Sequence, residues 1–250
     1  MASELGKIEK PAASEFAGGR KLFFVPLVFS GRDVPPEYLG KYLKYWDQAE
    51  SQVGSLELKL GQVHHVYHEL LAAGGDEGFK ILETLNDRSA QLVRNRLDKG
   101  ADLVAVEDRE GLTEFMDWSR CMATSPQSQA VFREIYTRYV EASQKRNEHI
   151  LKQIGDSLKE NETGMLVMRE GHPLQFPADI HVFYVAPPSL DDIKRWLRDQ
   201  EAAATGEDES GCGCGHEHGD ECGCGHDHGD DCGCGHDCGE EPPDKPHIIV

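Results

Sequence analysis

A glycine-rich segment near residue 250 limits how much of this chain can fold around a core. Residues 211–239 form three ten-residue units built mainly from Gly, Cys, His and acidic residues, and they contain no aliphatic side chain and no Phe, Tyr or Trp. Such a segment cannot bury enough apolar surface to offset its conformational entropy. We therefore expect residues 211–239 to be disordered without metal, and the folded body to precede them.

Each unit presents four side chains that bind transition metals. Thiolate and imidazole hold Zn, Ni, Cu and Co, and four such ligands match the tetrahedral coordination of Zn. Gly between the ligands lets the backbone curl around an ion. The ligands in chain order are Cys212, Cys214, His216 and His218, then Cys222, Cys224, His226 and His228, then Cys232, Cys234, His236 and Cys238.

The pattern predicts a site for a transition-metal ion, with Zn or Ni favoured, and leaves the ion and its stoichiometry open. Three separate four-ligand sites and a thiolate-bridged cluster across the units both fit the spacing. Cys238 replaces the His of the first two units, so the third unit is the softest. The alternative is a flexible acidic spacer that binds no physiological ion.

This tail resembles the His-rich or Cys/His-rich extensions of nickel accessory proteins and other metallochaperones, and more loosely the metallothioneins. The resemblance covers residues 211–239 and consists of composition and spacing. It implies that Cys212 to Cys238 store or deliver metal, and that the partner is a client metalloenzyme. It implies nothing about the body.

Charge and hydropathy argue against several classes of partner. Residues 205–241 contain twelve Asp or Glu and no Lys or Arg, and subtracting their charge from the net −19 leaves −7 for the rest. Binding DNA or an anionic membrane surface needs a basic patch, which this balance does not favour. Residues 1–20 lack the apolar core of a signal peptide, and no run of eighteen apolar residues follows. We expect a cytosolic protein, where dense cysteines favour metal over disulfides.

Short apolar runs alternate with segments of helical periodicity before the tail. That alternation predicts an α/β fold with a mainly parallel sheet, flanking helices and one long helix. Strands are expected at 21–29, 63–70, 101–107, 164–168 and 180–185. Helices are expected at 36–60, 76–86, 88–99, 109–122, 127–160 and 190–198. The domains follow as a flexible leader (1–20), an α/β body (21–201), a linker (202–210), the metal-binding tail (211–239) and a C-terminal peptide (240–250).

One cluster of potential metal ligands lies in the body, at residues 64–69. His64 and His68 share a face of either a helix or a strand, so they form a second candidate metal site. Such a site, supplied with metal by the tail, would make the protein a metalloenzyme. The simpler interpretation is an element that carries exposed polar side chains.

The sequence carries no motif of a named reaction and so does not favour an enzyme. It lacks a phosphate-binding Gly-x-x-x-x-Gly-Lys-Ser/Thr loop, a Gly-x-Gly-x-x-Gly turn and a Gly-x-Ser-x-Gly elbow. The neighbouring carboxylates Glu107 and Asp108 are interpreted as solvated or capping charges. His172 follows the strand expected at 164–168, and α/β proteins usually bind ligands at such a strand end.

A helix from Ile154 followed by two strands, as far as Val185, resembles the C-terminal α/β domain of archaeal and eukaryotic peptide-chain release factors and their bacterial relatives. About thirty residues carry the resemblance, and the catalytic Gly-Gly-Gln of those factors is absent. The resemblance implies a scaffold that associates with the ribosome or with another protein. The sequence therefore leads to a cytosolic metal-storing or metal-delivering protein, with a translation-associated scaffold and a metalloenzyme as alternatives.

Overall fold

A computed structural model describes residues 18–31, 33–171 and 173–205, which form one parallel sheet surrounded by helices. The strands are β1 (Arg20–Pro26), β2 (His65–His68), β3 (Asp102–Val104), β4 (Thr163–Met168) and β5 (Ile180–Tyr184). The helices are α1 (Pro36–Leu60), α2 (Gly75–Leu85), α3 (Asp87–Leu97), α4 (Arg109–Ala123), α5 (Gln129–Ser157) and α6 (Pro188–Thr205).

The strand order is β3-β2-β4-β1-β5, so the first strand of the chain lies between the last two. Lys21 of β1 is opposite Thr163 of β4 on one side and His181 of β5 on the other. β2 pairs in parallel with both β4 and β3. The predicted α/β fold with a mainly parallel sheet is confirmed, and all pairings among the described strands are parallel.

The two faces of the sheet bury different side chains of the same strands. Phe23 and Val25 of β1 pack in a core with α1, α2, α3 and α6. Leu22 and Phe24 point the other way and pack with Ile150 of α5. This three-layer arrangement results when right-handed crossovers first wind towards β3 and then return.

Local signals fix the ends of α1, which spans the predicted residues. Pro36 starts the helix, where its missing N–H costs nothing. Gly61 follows the last turn with φ 106°, a conformation that residues with a Cβ rarely adopt. Tyr38, Tyr42 and Tyr45 recur every three or four residues and are buried, so one stripe of the helix faces the core.

α5 is 29 residues long, about 43 Å, and only its second half packs against the sheet. Its first half forms an antiparallel hairpin with α4. Phe132 and Tyr136 there remain 43% and 52% exposed, with their rings stacked 6.3 Å apart. Neither aromatic residue belongs to the core around Ile150.

Several element boundaries differ from the sequence prediction. The first three strands are shorter than the expected 21–29, 63–70 and 101–107, and α5 is shorter than the expected 127–160. α6 continues to Thr205, so residues 202–205, expected in the linker, are helical. Arg20, expected in the leader, begins β1. Residues 1–17 and 206–250 lie outside the described residues. The prediction that the tail is disordered concerns residues within the second range. Among the described helices, none is both long and apolar enough to cross a membrane.

Candidate functional site

A cavity of about 340 Å³ opens at the edge of the sheet where β1 and β4 end. After β1 the chain turns to α1 on one face, and after β4 it turns to a loop whose Leu174 packs on the other face. When the chain leaves two neighbouring parallel strands towards opposite faces of the sheet, a crevice opens between the strand ends. α/β proteins bind ligands in such crevices. The topology alone therefore marks this cavity as the candidate site.

Four charged side chains cluster at this edge of the sheet, beneath the cavity. We call them the buried ion network. Glu69 directly follows β2, Arg169 directly follows β4, Glu107 lies shortly after β3, and Arg146 projects from α5. Because the carboxyl ends of parallel strands meet at one edge, residues far apart in sequence come together here.

Arg146 bridges the two carboxylates of the network. Its Nε lies 2.9 Å from Oε2 of Glu107, and one terminal nitrogen lies 3.0 Å from Oε1 of Glu69. Arg169 donates to Glu69 from its backbone N–H over 2.8 Å and from its guanidinium over 2.9 Å. Both carboxylate side chains are only 1% exposed. Two cations thus neutralise two anions that water does not reach.

The backbone completes the network at the end of β2. Leu70 has a φ of 71°, which is unusual for a residue with a branched side chain. In this conformation its N–H donates to Oε1 of Glu107 over 3.1 Å. The turn after β2 is therefore shaped to satisfy a buried carboxylate on the neighbouring strand, which offsets its conformational cost.

Electrostatics keep Glu69 and Arg146 ionised. Burial by itself raises the pKa of Glu69, but the hydrogen bonds and charge of Arg169 and the charge of Arg146 outweigh burial and lower that pKa below its ordinary value. For Arg146, burial opposes the charge, yet Glu107 and Glu69 raise its pKa. A carboxylate held ionised by two guanidinium groups is a poor proton donor or acceptor near neutral pH. The network orders the site and does not supply a general base.

The base of the α4–α5 hairpin closes one wall of the cavity. The guanidinium of Arg146 lies 4.7 Å from the ring centre of Phe115. That ring is 5.5 Å from the ring of Tyr139. A cation against an aromatic face adds roughly 1 kcal/mol. The buried ion network is therefore coupled to the hairpin as well as to the strands.

The opposite wall and the rim come from α6 and the loop after β4. Lys194 of α6 donates to Glu170 over 2.7 Å, and Tyr184 donates to the same carboxylate. Gly171 and Pro173 also line the cavity. His172 between them, which the sequence singled out, lies outside the described residues. Its strand end is nevertheless the edge at which the cavity opens.

The structure does not bring His64 and His68 together. They lie four residues apart along an extended segment, a separation of about 13 Å. His64 is exposed, and its Nδ1 accepts a hydrogen bond from the backbone N–H of Thr163 over 3.1 Å. The pair was predicted to share a face of either a helix or a strand. The extended backbone sets the two positions apart, and among the described residues neither His64 nor His68 belongs to a group of three potential metal ligands.

His68 is buried and both of its ring nitrogens have partners. Nδ1 lies 2.6 Å from the carbonyl oxygen of Glu69 and donates to it, and Nε2 lies 3.1 Å from the hydroxyl of Ser89, which is also 3.1 Å from the carbonyl oxygen of Asn86. Burial lowers the pKa of His68 to about 4, against the charge and carbonyl of Glu69, which raise it. His68 is thus a neutral structural residue at pH 7. Within residues 18–31, 33–171 and 173–205, no group of three His, Cys, Asp or Glu could hold a metal ion.

The interpretation of Asp108 as a solvated or capping charge is confirmed, and the same interpretation of Glu107 is wrong. Asp108 caps α4, accepting from the backbone N–H of Gly111 over 2.7 Å. Glu107, interpreted with it as a solvated or capping charge, is buried in the ion network. The signal that could have found Glu69, Glu107 and Arg169 is their position: each charged residue comes within three residues of the end of a predicted parallel strand. The twelve Cys and His of the tail lie outside the described residues.

Comparison of the chain with protein-family models, with curated proteins and with solved structures finds no match. The resemblances to metallochaperone extensions and to release factors therefore remain predictions.

Proposed function

We propose that this protein binds a transition-metal ion, Zn or Ni in the first place, through the Cys and His residues of 212–238, and stores, buffers or delivers it in the cytosol. The observation that carries the proposal is the threefold repetition of four glycine-spaced ligands with a ten-residue period. Seven thiols and five imidazoles in 27 residues provide the donor atoms that soft and borderline ions prefer.

The surrounding charge supports cation binding. Asp and Glu residues between the units attract cations without competing as ligands, because carboxylate oxygen is too hard for a thiophilic ion. No Lys or Arg lies between residues 205 and 241 to repel the metal. Binding would deprotonate the thiols, so affinity should rise with pH.

The contacts in the body are consistent with metal binding by the tail and not by these body residues. Its buried carboxylates are paired with Arg146 and Arg169, and His68 is hydrogen-bonded on both ring nitrogens. These groups are not available to withdraw metal from the tail. Delivery would then proceed by ligand exchange, in which tail thiolates pass the ion to a docked client metalloenzyme.

Two other functions have less support. The metalloenzyme hypothesis depended on a metal site at His64 and His68, which lie apart along an extended segment. The scaffold reading, with ribosome association, relies on the release-factor resemblance, and only the polar cavity favours a binding role for the body. Co-sedimentation with ribosomes at low salt tests the scaffold.

Native mass spectrometry of the reduced full-length protein, purified anaerobically and titrated with Zn, Ni, Co or Cu(I), tests the proposal. The test variant replaces the seven tail cysteines by Ser and the five tail histidines by Ala. Cys121→Ser is the matched control, because Cys121 is the cysteine outside the tail. We expect the tail variant to lose bound metal and Cys121→Ser to retain it. Equal metal content in both variants would refute the proposal.

A further inference from the structure

We propose that the cavity at the ends of β1 and β4 binds a small hydroxylated organic anion, such as a sugar phosphate or a sugar acid. This site is separate from the metal ligands of the tail. Its volume of about 340 Å³ lies at the lower end of the range for ligand pockets, which suits a small metabolite.

The floor of the cavity presents hydrogen-bond donors. The oxygens of Glu69 are occupied by Arg146 and by the side chain and backbone N–H of Arg169. The guanidinium of Arg169 is 30% exposed, whereas Glu69 beneath it is 1% exposed. A guanidinium has five N–H groups, Glu69 engages only Nε and one terminal nitrogen of Arg169, and Arg169 lines the cavity, so donors remain for a ligand there. Donors held by a buried counter-charge are preorganised for an anion.

The rim adds a second cation from a different element. Lys194 of α6 is 44% exposed and is held against Glu170 over 2.7 Å. Arg169 and Lys194 line the same cavity from a strand end and from a helix. Glu170 is the one rim carboxylate among the described lining residues, and it is engaged by Lys194 and by Tyr184.

The hairpin wall explains why the ligand should carry hydroxyl groups. Tyr139, Ser143 and Asn147 follow each other at four-residue intervals on α5, and Ser119 joins them from α4. The polar groups of these four side chains make no hydrogen bond to any described residue. Hydroxyls and an amide both donate and accept, which matches the hydroxyl groups of a sugar. The ring of Phe115 beside them offers an apolar surface for the carbon skeleton.

Isothermal titration calorimetry of the full-length protein tests the assignment. The probes are glucose 6-phosphate, gluconate, inorganic phosphate and neutral sorbitol, with EDTA present so that tail-bound metal cannot hold an anion. We expect glucose 6-phosphate or gluconate to bind, and whichever binds identifies phosphate or carboxylate as the anionic group. No heat with either organic anion, or equal affinity for sorbitol, would overturn the proposal. Inorganic phosphate binding as tightly as glucose 6-phosphate would overturn the role of the hydroxyl-bearing wall.

Substitutions locate the binding. Lys194→Gln removes the rim cation and should weaken binding about tenfold, the effect of losing one charge-assisted hydrogen bond. Asn147→Ala should weaken the binding of the organic anions by a similar factor and should leave the binding of inorganic phosphate unchanged. Lys80→Gln, an exposed position on α2, is the matched control and should leave affinity unchanged. Equal affinity of the Lys194→Gln and Lys80→Gln variants, with unchanged circular dichroism, would place any binding elsewhere.

Discussion

The body and the tail treat their reactive side chains in opposite ways. In the body, Glu69 and Glu107 are each within 3.1 Å of a guanidinium nitrogen, and His68 is hydrogen-bonded on both sides. In residues 205–241, twelve carboxylates have no Lys or Arg of the same segment to pair with. A folded core forces polar groups to satisfy one another, because an unpartnered buried charge is costly. Ligands placed in a segment without a core retain their capacity for an external ion.

The largest expected effect comes from breaking the buried ion network. Arg146→Met leaves Glu107 and Glu69 buried with less compensation, and should lower the free energy of unfolding by roughly 3–5 kcal/mol. Denaturation in guanidinium chloride measures the change. Arg138→Met on the same helix is the control, since Arg138 pairs with Glu134 and Glu141 at the exposed surface and should cause no measurable loss. A small effect at Arg146 would show that the network contributes little to folding.

His68 should make the body lose stability as the pH falls. Its pKa in the folded protein is about 4 against 6.5 when unfolded, because burial disfavours the imidazolium. Between these values the unfolded chain binds a proton that the native protein does not, so each pH unit costs about 1.4 kcal/mol. Urea unfolding at pH 6.5 and pH 5.5 measures the slope.

His68→Gln should remove that part of the slope, whereas exposed His64→Gln should not. Below pH 4.5 a second loss begins, because the pKa of Glu69 is lowered in the folded protein and protonation of its carboxylate favours unfolding. Identical slopes for wild type and His68→Gln between pH 6.5 and 5.5 would show that His68 is not buried as a neutral ring.

Glu107 and Asp108 allow a test on adjacent carboxylates. Asp108→Ala removes an exposed helix cap and should cost about 1 kcal/mol, which Asp108→Asn should largely restore. Glu107→Ala strips the buried Arg146 of its principal partner and should cost several times as much. Chemical denaturation compares them, and equal losses would mean that burial does not distinguish the two positions.

The smallest expected effect is that of metal on the stability of the body. If the tail binds the ion whether or not the body is folded, linkage predicts no shift in the unfolding midpoint. Thermal unfolding of the full-length protein with Zn and with EDTA measures this, with the Cys- and His-substituted tail variant as control. A midpoint raised by several degrees in the wild type alone would mean that the folded body contributes to the metal site.

Secondary structure was predictable wherever a local signal marked it. Pro36 and Gly61 delimit α1, and the apolar runs around Phe23 and Leu166 became β1 and β4. The end of α6 was missed because Ala202 to Ala204 resemble a linker in a polar context, although Ala is the strongest helix former. The exposed Phe132 and Tyr136 of α5 show the limit of such signals, because periodicity identifies a face of a helix but not what covers it.

The strand order and the ion network depend on contacts that no local pattern encodes. Arg146 meets Glu69 across 77 residues, and Arg169 meets it across 100. The sequence shows that a charged residue follows a predicted strand. It does not show which strand lies beside that one, because the order of strands depends on the topology of the whole sheet. The proposed metal ligands are the reverse case, since their repetition is visible in the sequence and does not depend on the sheet.

The position of β1 between the last two strands of the chain has a consequence for biosynthesis. Its partners β4 and β5 begin about 140 and about 160 residues later, at Thr163 and Ile180. At a translation rate of 5–20 residues per second, the first strand emerges roughly 7–30 s before either partner exists. During that interval Leu22, Phe23, Phe24 and Val25 have no native neighbours along the strand edges. We expect the nascent chain to be vulnerable to aggregation, and chaperone binding near the amino terminus to determine its yield.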